Sequence, residues 1–586
     1  MRPRHFITPL LLALLLAIPH THAGAQIVRR TVATGVELTQ ETIAPPTGPL
    51  VIDVLRINMK QPGVRVQAEL AQDVVLADDP TNGREAVGSL AARHGAVAAV
   101  NADFFPYTGD PVNITIRDGE LLSESLPHRV ALGITSDGQV RFDNLLTVGS
   151  LMGSDGVIGG LDGINRIAGK DEIVALTPAF GQRTRAAAGT TMVLLSGANL
   201  PVRIGQDQTA VAGDLLQGDP KGAIPSGGVV LVGDGRGADW LRTHITNGGS
   251  VRFRFDCISN PLPAGPYRKD LASRAASFRG RAIKSVWADM RQAVGGGPWL
   301  VRDGKPAVDG LAENLDETHF TMARHPRTAA GVTASGDLLL VAVDGRQEGV
   351  SRGMSLPELA DYMVKLGATQ AINLDGGGST AMAIRGGYVN SPSDGSPRAI
   401  ASALLVFAQD SADKPVIDTR DPVTVIAGAR TQLSEGQSRI ASGGIDATHL
   451  GIWTTLEGKS SISQSGILFA TQAGPGTAML VRDGSTIRIP YVVLPGSPAH
   501  LRASIGAVEN NPPDRNLLTA TVVDGWGNPI PGQTIAIQVT GGQAEKSSAT
   551  TDAAGRLRVE VVWDVEKGRK ATITSGSLRP VTISAK

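Results

Sequence analysis

The chain has 586 residues, and its 55 basic side chains balance 55 acidic ones, so the formal net charge at pH 7 is zero. Without a net positive charge or a long basic run, the chain lacks the usual electrostatic basis for binding nucleic acids, and we predict no nucleic-acid partner. Aromatic residues make up only 4% of the sequence, whereas 71 glycines predict many turns and a fold rich in strands. At roughly 150 residues per domain, the length predicts three or four domains.

The first 25 residues have the composition of a secretory signal. A short basic segment, MRPRH, precedes the apolar run FITPLLLALLLAIP, and AGA at positions 23–25 offers small residues for cleavage. The apolar run is short for a membrane span. We therefore predict a cleaved signal peptide over residues 1–25, a secreted or periplasmic product, and no membrane insertion after cleavage.

Cys257 is the sole cysteine, so the chain cannot form an intramolecular disulfide. It lies in RFRFDCISN, which alternates as a strand does, and there we interpret it as a small buried apolar residue rather than a nucleophile. An exported protein without disulfides is typical of the bacterial envelope, and we expect its core to supply the stability.

Residues 26–408 show a mixed pattern. GAVAAVN and LLLVAVDG are continuous apolar runs that end at a polar residue, as buried strands do. Between LLLVAVDG and AINLDGGGS, Ser355 and Glu358 have the spacing of a capping box, and Gly367 follows the last residue of the helical pattern. We predict a strand–helix–strand unit here and an α+β (mixed α/β) catalytic domain over residues 26–408.

Two acids follow the strands of this unit. Asp344 comes after LLLVAV, and Asp375 comes after AINL. If the strands are parallel, both carboxylates leave the sheet at carboxyl ends, where α/β folds place ligands. An acid beside glycine is also a common turn residue. Two carboxylates in one cleft, however, suit glycosyl transfer, in which one acts on the anomeric carbon and the other handles protons. We predict that both are catalytic and leave their individual roles open.

The glycine run after Asp375 and two further stretches supply candidate binding residues. In GGGST, glycines would let backbone amides approach a ligand oxygen, and the spaced lysine of a Walker loop is missing. NADFF ends another apolar run. HPRTAAGV places Arg327 before a strand, and a planar guanidinium suits phosphate. A simple turn and a surface ion pair are the structural alternatives for the glycines and Arg327.

From about residue 415 the chain shows short alternating strands separated by Gly, Ser and Asn turns. TATVVDGWGNPIPGQTIAIQV places strands around a DGWGNP turn, and TTDAAGRLRVEVVW repeats the pattern. We predict two all-β sandwiches, over residues 415–495 and 497–586, which resemble bacterial immunoglobulin-like domains, the second of invasin type. Because they carry no cluster of acids or histidines, we interpret them as spacers or as modules that contact a cell-envelope glycan.

Several blocks occur in an order typical of one enzyme family. VNADFF, PVNITIRDGEL, GGGPWLVRDGK, HPRTAAGV, VDGRQ, NLDGGGST and VNSPSDGSPRAIASALLV together resemble the phosphodiester glycosidase family, over about residues 50–407. The resemblance implies a hydrolase that cleaves a sugar-1-phosphodiester at the glycosidic bond and releases a phosphomonoester. It also implies that one cleft is lined by Asn101, Asn113, Arg327, Thr328, Asp344, Asp375, Gly376, Gly377, Gly378, Ser379 and Arg398.

Asp103 and Thr380 complete the predicted binding set. Thr380 adds a hydroxyl after the glycine run. Asp103 follows the same predicted strand as Asn101, but it stands where the lysosomal member of the family has glycine, so it is a local addition to the family pattern.

The resemblance leaves cofactor and substrate open. We predict no cofactor; the alternative is a divalent cation such as calcium, for which Asp344, Asp375 and Asn101 would offer oxygen ligands. Two other functions remain: a glycoside hydrolase that acts on a cell-wall or exopolysaccharide linkage without phosphate, and a non-catalytic surface protein that binds glycans. In each case the partner is a carbohydrate or a sugar phosphate.

Overall fold

The structure is a computed structural model that describes residues 26–261, 283–409, 416–418, 421–433, 451–457, 460–482, 485–508, 514–564 and 568–585. The predicted signal peptide lies outside the described residues, as does part of the first predicted sandwich. Within the described ranges, no helix is both long enough and apolar enough to span a bilayer.

The first sheet carries both predicted catalytic acids at its edge. With strands numbered in chain order through the molecule, its members are β1 (Gln26–Ala33), β2 (Val36–Ile43), β3 (Leu50–Ile57), β19 (Trp299–Arg302), β20 (Lys305–Pro306), β21 (Arg327–Thr333), β22 (Leu338–Val343) and β23 (Ala368–Asn373). Their order is β1-β2-β3-β22-β21-β23-β19-β20. Every neighbouring pair in this order is antiparallel.

The predicted strand–helix–strand unit is present. The described helices are α1 (Val87–His94), α2 (Gly235–His244) and α3 (Leu356–Lys365). Helix α3 begins with the predicted capping box of Ser355 and Glu358, and Gly367 follows its end at φ +88°. Strands β22 and β23 both pair antiparallel with β21, which lies between them, and therefore run in the same direction. Asp344 and Asp375 thus leave the sheet at the same edge, as predicted.

The second sheet is formed by strands between residues 115 and 295. Its strands are β7 (Thr115–Arg117), β8 (Glu120–Ser123), β9 (Val130–Thr135), β10 (Val140–Met152), β11 (Ile158–Leu161), β12 (Gly163–Ile164), β13 (Ile173–Leu176), β14 (Thr191–Ser196), β15 (Gln208–Gln217), β16 (Gly228–Gly233), β17 (Ser250–Ser259) and β18 (Met290–Gly295). The long strand β10 joins its two halves, since it pairs with β9, β11 and β17. Cys257 lies on β17 and is fully buried, as predicted.

The third sheet crosses from the catalytic region into the first C-terminal sandwich. Its strands are β4 (Arg65–Leu70), β6 (Ala98–Asn101), β24 (Met382–Ile384), β25 (Gly387–Tyr388), β27 (Ser402–Phe407), β28 (Val416–Asp418), β29 (Val423–Ile426), β31 (Ile452–Thr455), β34 (Gly474–Arg482) and β35 (Ser485–Leu494). The link is the pairing of β25 with β31, where Tyr388 faces Thr455.

Smaller sheets complete the described chain. One pairs β5 (Glu85–Ala86) with β26 (Ala399–Ile400), and another joins β30 (Arg430–Gln432), β32 (Ser460–Ile462) and β33 (Ile467–Ala470). The last module has one sheet of β36 (Pro498–Gly506), β37 (Arg515–Asp524), β39 (Gly542–Ala544) and β41 (Arg556–Trp563), and a second of β38 (Thr534–Thr540), β40 (Ser548–Thr550), β42 (Lys570–Thr574) and β43 (Val581–Ser584). Leu518 and Ile573, one from each sheet, share its apolar core.

The central core lies where the three large sheets meet. Leu340 of the first sheet, Leu132 of the second and Leu404 of the third are all fully buried in one cluster. Ile452 and Val481 of the first C-terminal module belong to the same cluster. The catalytic region and this module therefore share one hydrophobic core.

The predicted α+β class for residues 26–408 is wrong, because the protein is mostly β and includes a nearly closed, barrel-like sheet. Continuous apolar runs such as LLLVAV favoured strands of a helix-covered parallel sheet. In the structure, β22 is antiparallel to both neighbours. Its inner face packs into the central core through Leu340, and its outer face packs with α3 through Val341. A run buried on both faces does not reveal whether a sheet or a helix covers each one.

Candidate active site

Three strand ends converge around Asn101. This residue is 1% exposed at the end of β6, and its Nδ2 donates a hydrogen bond to the Asp375 carbonyl at 2.6 Å. The hydroxyl of Thr328, on β21, donates to Asn101 Oδ1 at 2.8 Å, and the Ala381 amide donates to the same oxygen at 3.1 Å. Asn101 and Thr328, both predicted to bind substrate, thus hold the turn that carries Asp375.

Asp375 lies half-buried at the end of β23, beside the glycine run. Its Oδ1 accepts a hydrogen bond from the Gly376 amide at 2.9 Å, and its carboxylate also accepts one from the Ser379 hydroxyl. Burial raises the pKa of Asp375 to about 6, against the lowering effect of these bonds and of the Arg398 charge. A carboxyl group that titrates near neutral pH can take up and release protons under working conditions.

Asp344 is 2% exposed and is held by the chain that follows β25. Its Oδ1 accepts hydrogen bonds from the Ser391 amide at 2.8 Å and from Asn390 Nδ2 at 3.2 Å. Burial raises the pKa of Asp344 to about 7 despite these bonds. Asp344 also lines a cavity of about 180 Å³, so a ligand there can reach this buried acid.

A further acid, Asp53, lies next to Asp344. It is fully buried on β3, and Gln40 Nε2 donates a hydrogen bond to it at 2.9 Å. Burial, followed by the charge of Asp344, raises the pKa of Asp53 well above its ordinary value. The first sheet therefore holds two neighbouring buried carboxyls, and ionisation of both is opposed because adjacent negative charges are costly at low dielectric.

Asp103 lies close to Asp375 on the other side of the site. Its two carboxylate oxygens accept hydrogen bonds from the Phe104 amide at 2.8 Å and from the Asn113 amide at 2.9 Å. Burial raises the pKa of Asp103 to about 7, and the Asp375 charge also contributes. A Cβ at Gly295 would lie 2.7 Å from both Asp103 oxygens. The glycine run of the block GGGPWLVRDGK, which begins at Gly295, therefore packs against this acid.

Asn113 closes the inner side of the site. Its Oδ1 accepts the amides of Ile114 and Leu126, each at 2.8 Å, and its Nδ2 donates to the Val130 carbonyl at 3.1 Å. With 1% of its surface exposed, Asn113 supports the loop beneath Asp103 in this structure.

The glycine run lets arginine side chains approach the backbone. A Cβ at Gly378 would lie 2.1 Å from Arg398 Nη2 and from Asp394 Oδ2, and one at Gly377, where φ is +61°, would lie 3.2 Å from Arg346 Nη2. Gly376 is equally constrained, because its Cβ would lie 2.9 Å from a carbonyl oxygen. The Pro326 carbonyl at Gly376 and the arginine side chains at Gly377 and Gly378 thus account for the three consecutive glycines.

The amides of this run are used inside the protein. Those of Gly377, Ser379 and Thr380 donate to the carbonyls of Pro326, Gly376 and Gly377 at 2.9–3.2 Å. The Thr380 hydroxyl, by contrast, is buried and has no hydrogen-bond partner among the described residues. The anion-binding groups of the site are therefore better sought in the nearby guanidinium groups than in these amides.

The three arginines of the site differ in what their guanidinium groups can reach. The Arg398 side chain is 43% exposed, pairs with Asp394 at 2.7 Å and donates to the Ser379 hydroxyl at 3.4 Å. Arg346 is exposed, has φ +59° and lies 3.1 Å from His325 Nδ1. Arg327 is only 1% exposed, and it donates to backbone carbonyls.

Burial and the Arg346 charge lower the pKa of Arg327 to about 10. Its Nε donates to the Met354 carbonyl at 2.9 Å, and its Nη2 donates to the carbonyls of Phe320 and Ala323 at 2.6 and 2.8 Å. Arg327 thus braces two loops through Nε and Nη2, and its contact with a ligand stays a prediction.

Sequence reasoning missed Asp53 on β3 and four further residues that shape the site: Arg346, Asn390, Ser391 and Asp394. All four lie in quoted blocks, Arg346 in VDGRQ and the others in VNSPSDGSPRAIASALLV. The signal that could have found them is the polar composition of those blocks beside the predicted acids.

A metal site is a separate question. Among the described residues, the group of three side chains that could hold an ion is Glu69, Asp73 and His94. It includes none of the predicted site residues. The expectation of no cofactor, with a cation at Asp344, Asp375 and Asn101 as the alternative, stays a prediction.

The comparisons with known proteins agree with the sequence blocks. The family model described as Phosphodiester glycosidase matches residues 199–407, and Bacterial Ig-like domain (group 1) matches residues 504–586. The SPbeta prophage-derived uncharacterized protein YomE of Bacillus subtilis (strain 168) is 32% identical over 126 residues, which are 21% of this chain and 19% of that protein.

One of the similar proteins is a mammalian enzyme whose name states its activity. N-acetylglucosamine-1-phosphodiester alpha-N-acetylglucosaminidase of Bos taurus is 36% identical over 111 residues, which are 18% of this chain and 21% of that protein. The chain spans about a fifth of the length of these curated relatives. Among solved structures, a hypothetical protein from Synechocystis has a TM-score of 0.51 at 20% identity, covering 66% of this chain and 64% of that chain.

The Synechocystis structure shows likeness of fold alone. The family matches go further, since they support a glycosidase-type hydrolase and confirm the resemblance inferred from the sequence blocks. The chain thus matches the phosphodiester glycosidase family over residues 199–407 and the group 1 bacterial Ig-like domains over residues 504–586.

Proposed function

We propose that the protein is an exported hydrolase that cleaves the glycosidic bond of a sugar-1-phosphodiester. The observation that carries this proposal is the position of Asp375, a half-buried carboxyl with a pKa of about 6, beside the exposed guanidinium groups of Arg346 and Arg398. A carboxylate can attack the anomeric carbon or activate a water molecule there, and two cations can bind the phosphate attached to that carbon. The name of the mammalian relative supports the same substrate class.

The reaction would break the bond between the anomeric carbon and the bridging phosphate oxygen. Water supplies the hydroxyl of the released sugar, and its remaining proton balances the phosphomonoester that leaves. Arg398 and Arg346 would stabilise the negative charge that grows on the phosphate oxygens as the bond breaks. Because a phosphate ester is already a good leaving group, the site needs little protonation of the departing oxygen.

Asp375 and Asp344 would carry out the steps at the sugar. The Arg398 charge acts on Asp375, and Arg346 lies against Gly377 in the same turn, so Asp375 would act at the anomeric carbon, either as nucleophile or as the base that activates water. Asp344 is buried, lines a cavity and has a pKa of about 7, so it would exchange a proton with the bound sugar. Arg327, Asn101 and Thr328 would keep the Asp375 turn in place. Export rests on the N-terminal sequence, MRPRHFITPLLLALLLAIP.

Sugar release from a panel of sugar-1-phosphodiesters tests the proposal, with wild type measured beside Asp375→Asn. The substitution keeps the shape of the side chain and removes its charge, so we expect kcat to fall by about 10²- to 10⁴-fold. Asp361→Asn is the matched control, because Asp361 is exposed on α3 and lies outside the site. Full activity of Asp375→Asn would overturn the assignment of this acid.

The same panel should include a polysaccharide and a simple glycoside that contain no phosphate. Cleavage of these alone would favour the glycoside hydrolase that the sequence leaves open. Binding without cleavage of any substrate would favour the glycan-binding alternative.

A further inference from the structure

A group of three side chains outside the candidate active site has the composition of a metal site. Glu69 lies on β4, Asp73 lies in the short 3-10 turn that follows this strand, and His94 is the last residue of α1. One possible ligand atom from each side chain lies within 4.8 Å of those of the other two. The fold therefore brings one imidazole and two carboxylates together from two separate parts of the chain.

Two polar atoms of this group are buried and make no hydrogen bond. Glu69 is 5% exposed, and its Oε2 has no hydrogen-bond partner within the ranges that the structure describes. The same holds for Nε2 of His94. Because a buried polar atom without a hydrogen bond destabilises a folded protein, the two atoms indicate that a ligand binds between these side chains.

The spacing of His94 and Asp73 fits a tetrahedral ion. His94 Nε2 lies 3.3 Å from Asp73 Oδ1. Nitrogen and oxygen ligands lie about 2.0–2.2 Å from zinc, which places two ligands of a tetrahedron about 3.3–3.6 Å apart. The other carboxylate oxygen of Asp73 is bound by Arg93 at 2.7 Å, so Oδ1 faces His94 and is left for the ion.

Two arginines border the group and balance only part of its charge. Arg93 also binds Glu85 at 2.9 Å, and Arg117 also lies 3.9 Å from Glu120. Arg117 Nη1 is 3.6 Å from Glu69 Oε2, which is longer than a hydrogen bond. In this network of ion pairs, two guanidinium groups face four carboxylates, so two negative charges are in excess. A divalent cation would balance them.

The type of ion follows from the ligands. Calcium and magnesium prefer oxygen ligands alone, whereas an imidazole nitrogen together with carboxylates suits zinc and similar transition metals. The Asp73 side chain is 50% exposed, so an ion can enter from solvent on this side. Glu69 would hold the ion from the buried side, and a water molecule can supply the fourth ligand.

The group lies two strands away from the candidate active site. Glu69 pairs with Ala403 on β27, and Ala403 pairs with Asn101 on β6. Since neighbouring strands are about 4.8 Å apart, Glu69 is roughly 10 Å from Asn101 across the sheet. An ion at Glu69 would therefore support the sheet that carries Asn101, without contact with the substrate.

We propose that Glu69, Asp73 and His94 bind a divalent transition-metal ion of the zinc type. The ion joins the end of α1 to β4 and to the turn that follows β4, and so stabilises the fold. It takes no part in the proposed reaction, so the inference does not depend on the proposed function.

Calorimetric titration of the full chain, without an affinity tag, with zinc chloride tests the inference. We expect one ion to bind per chain and saturating zinc to raise Tm by about 3 °C or more, because the ion binds only the folded state. His94→Gln and Asp73→Asn should each weaken zinc binding by about tenfold or more, since each removes one ligand.

His244→Gln is the matched control. Its side chain is 22% exposed, against 23% for His94, and it pairs with Asp155 at 2.8 Å. Among the described residues, no group of three possible ligands includes His244. We therefore expect His244→Gln to bind zinc as wild type does.

The exposed position of Asp73 keeps the test valid if His94→Gln does not fold, because Asp73→Asn changes a half-exposed side chain. The inference fails if the wild type binds no zinc, or if Asp73→Asn binds it as tightly as wild type. Release of the zinc by an about tenfold excess of calcium chloride would contradict the assignment of a transition metal.

Discussion

At the scale of single residues, the site is a set of carboxyls whose proton affinity is set by burial, by hydrogen bonds to the carboxylates and, at Asp103 and Asp375, by nearby charges. Burial raises the pKa values of Asp103, Asp344 and Asp375 to about 7, 7 and 6. Arg398 opposes this effect at Asp375 because its positive charge favours the carboxylate. The pH at which Asp375 becomes charged therefore depends on Arg398.

Arg398→Gln should shift the acidic limb of the pH profile upward. If Asp375 must be ionised to act, kcat/KM falls as the pH drops through its pKa. Removal of the adjacent cation raises that pKa further, so we expect the limb to move to higher pH as well as a lower maximum. The measurement is kcat/KM against pH from 4.5 to 8.5.

Arg141→Gln is the control for this prediction, since Arg141 pairs with Asp289 on the surface of the second sheet. We expect Arg141→Gln to leave the acidic limb of the kcat/KM profile at the same pH as in wild type. A limb that stays or moves to lower pH in Arg398→Gln would show that Arg398 does not govern the ionisation of Asp375.

At the scale of elements, the turn after β23 is shaped by side chains that pack over it. Gly378 has no room for a Cβ, because Arg398 Nη2 and Asp394 Oδ2 would each be 2.1 Å away. Both are ends of side chains that are about 40% exposed, so they can move aside. A side chain at Gly378 would thus displace the ion pair with little effect on the core.

Gly378→Ala should therefore separate activity from stability. We expect a loss of roughly 10- to 100-fold in kcat/KM, because displaced phosphate-binding groups no longer hold the substrate in place, together with a Tm close to that of wild type. Gly189→Ala is the matched control, since a Cβ at Gly189 meets nothing within 4 Å. A large fall in Tm would mean that the glycine serves the fold rather than the site.

Local sequence signals predicted the helix and strands around the site, but they did not predict how the sheets are arranged. Helix α3 was predictable because Ser355, Glu358 and Gly367 act within a few residues of one another. The common direction of β22 and β23 followed from the crossover. By contrast, the bonds from Asn390 and Ser391 to Asp344 span 46 and 47 positions of the chain, and no local pattern specifies them.

The same limit explains the wrong fold class and bears on the role predicted for Arg327. Apolar runs report burial, but the partner that covers each face is decided by distant parts of the chain. Arg327 has the chemistry of a phosphate ligand, yet its Nε and Nη2 donate to the carbonyls of Met354, Phe320 and Ala323. Whether a buried cation is available to a ligand depends on such contacts, which the sequence does not display.

At the scale of the whole molecule, the catalytic region and the first C-terminal module share one hydrophobic core, so we expect them to unfold together. Ile452 of the module is 3% exposed and belongs to the central core. Leu518 of the last module is fully buried in a separate core. Equivalent truncations at these two positions should therefore have different consequences.

Ile452→Ala should lower the temperature at which activity is lost, since a cavity in the central core costs about 2–5 kcal/mol. Leu518→Ala should instead lower a transition that belongs to the last module and leave the temperature of catalytic inactivation nearly unchanged. Differential scanning calorimetry, run beside residual activity after heating, measures both. If Ile452→Ala lowered a calorimetric transition but left the temperature of catalytic inactivation unchanged, the catalytic region and the first C-terminal module would unfold independently.

The pairing of β25 with β31 has a consequence for how this protein can be cut or recombined. A catalytic region ended near residue 409 would expose the backbone groups of β25, which Thr455 of the module otherwise covers at Tyr388. Unpaired edges of this kind recruit strands from other copies. We therefore expect the isolated region to self-associate through this edge. In the full chain the module prevents such association because β31 covers β25.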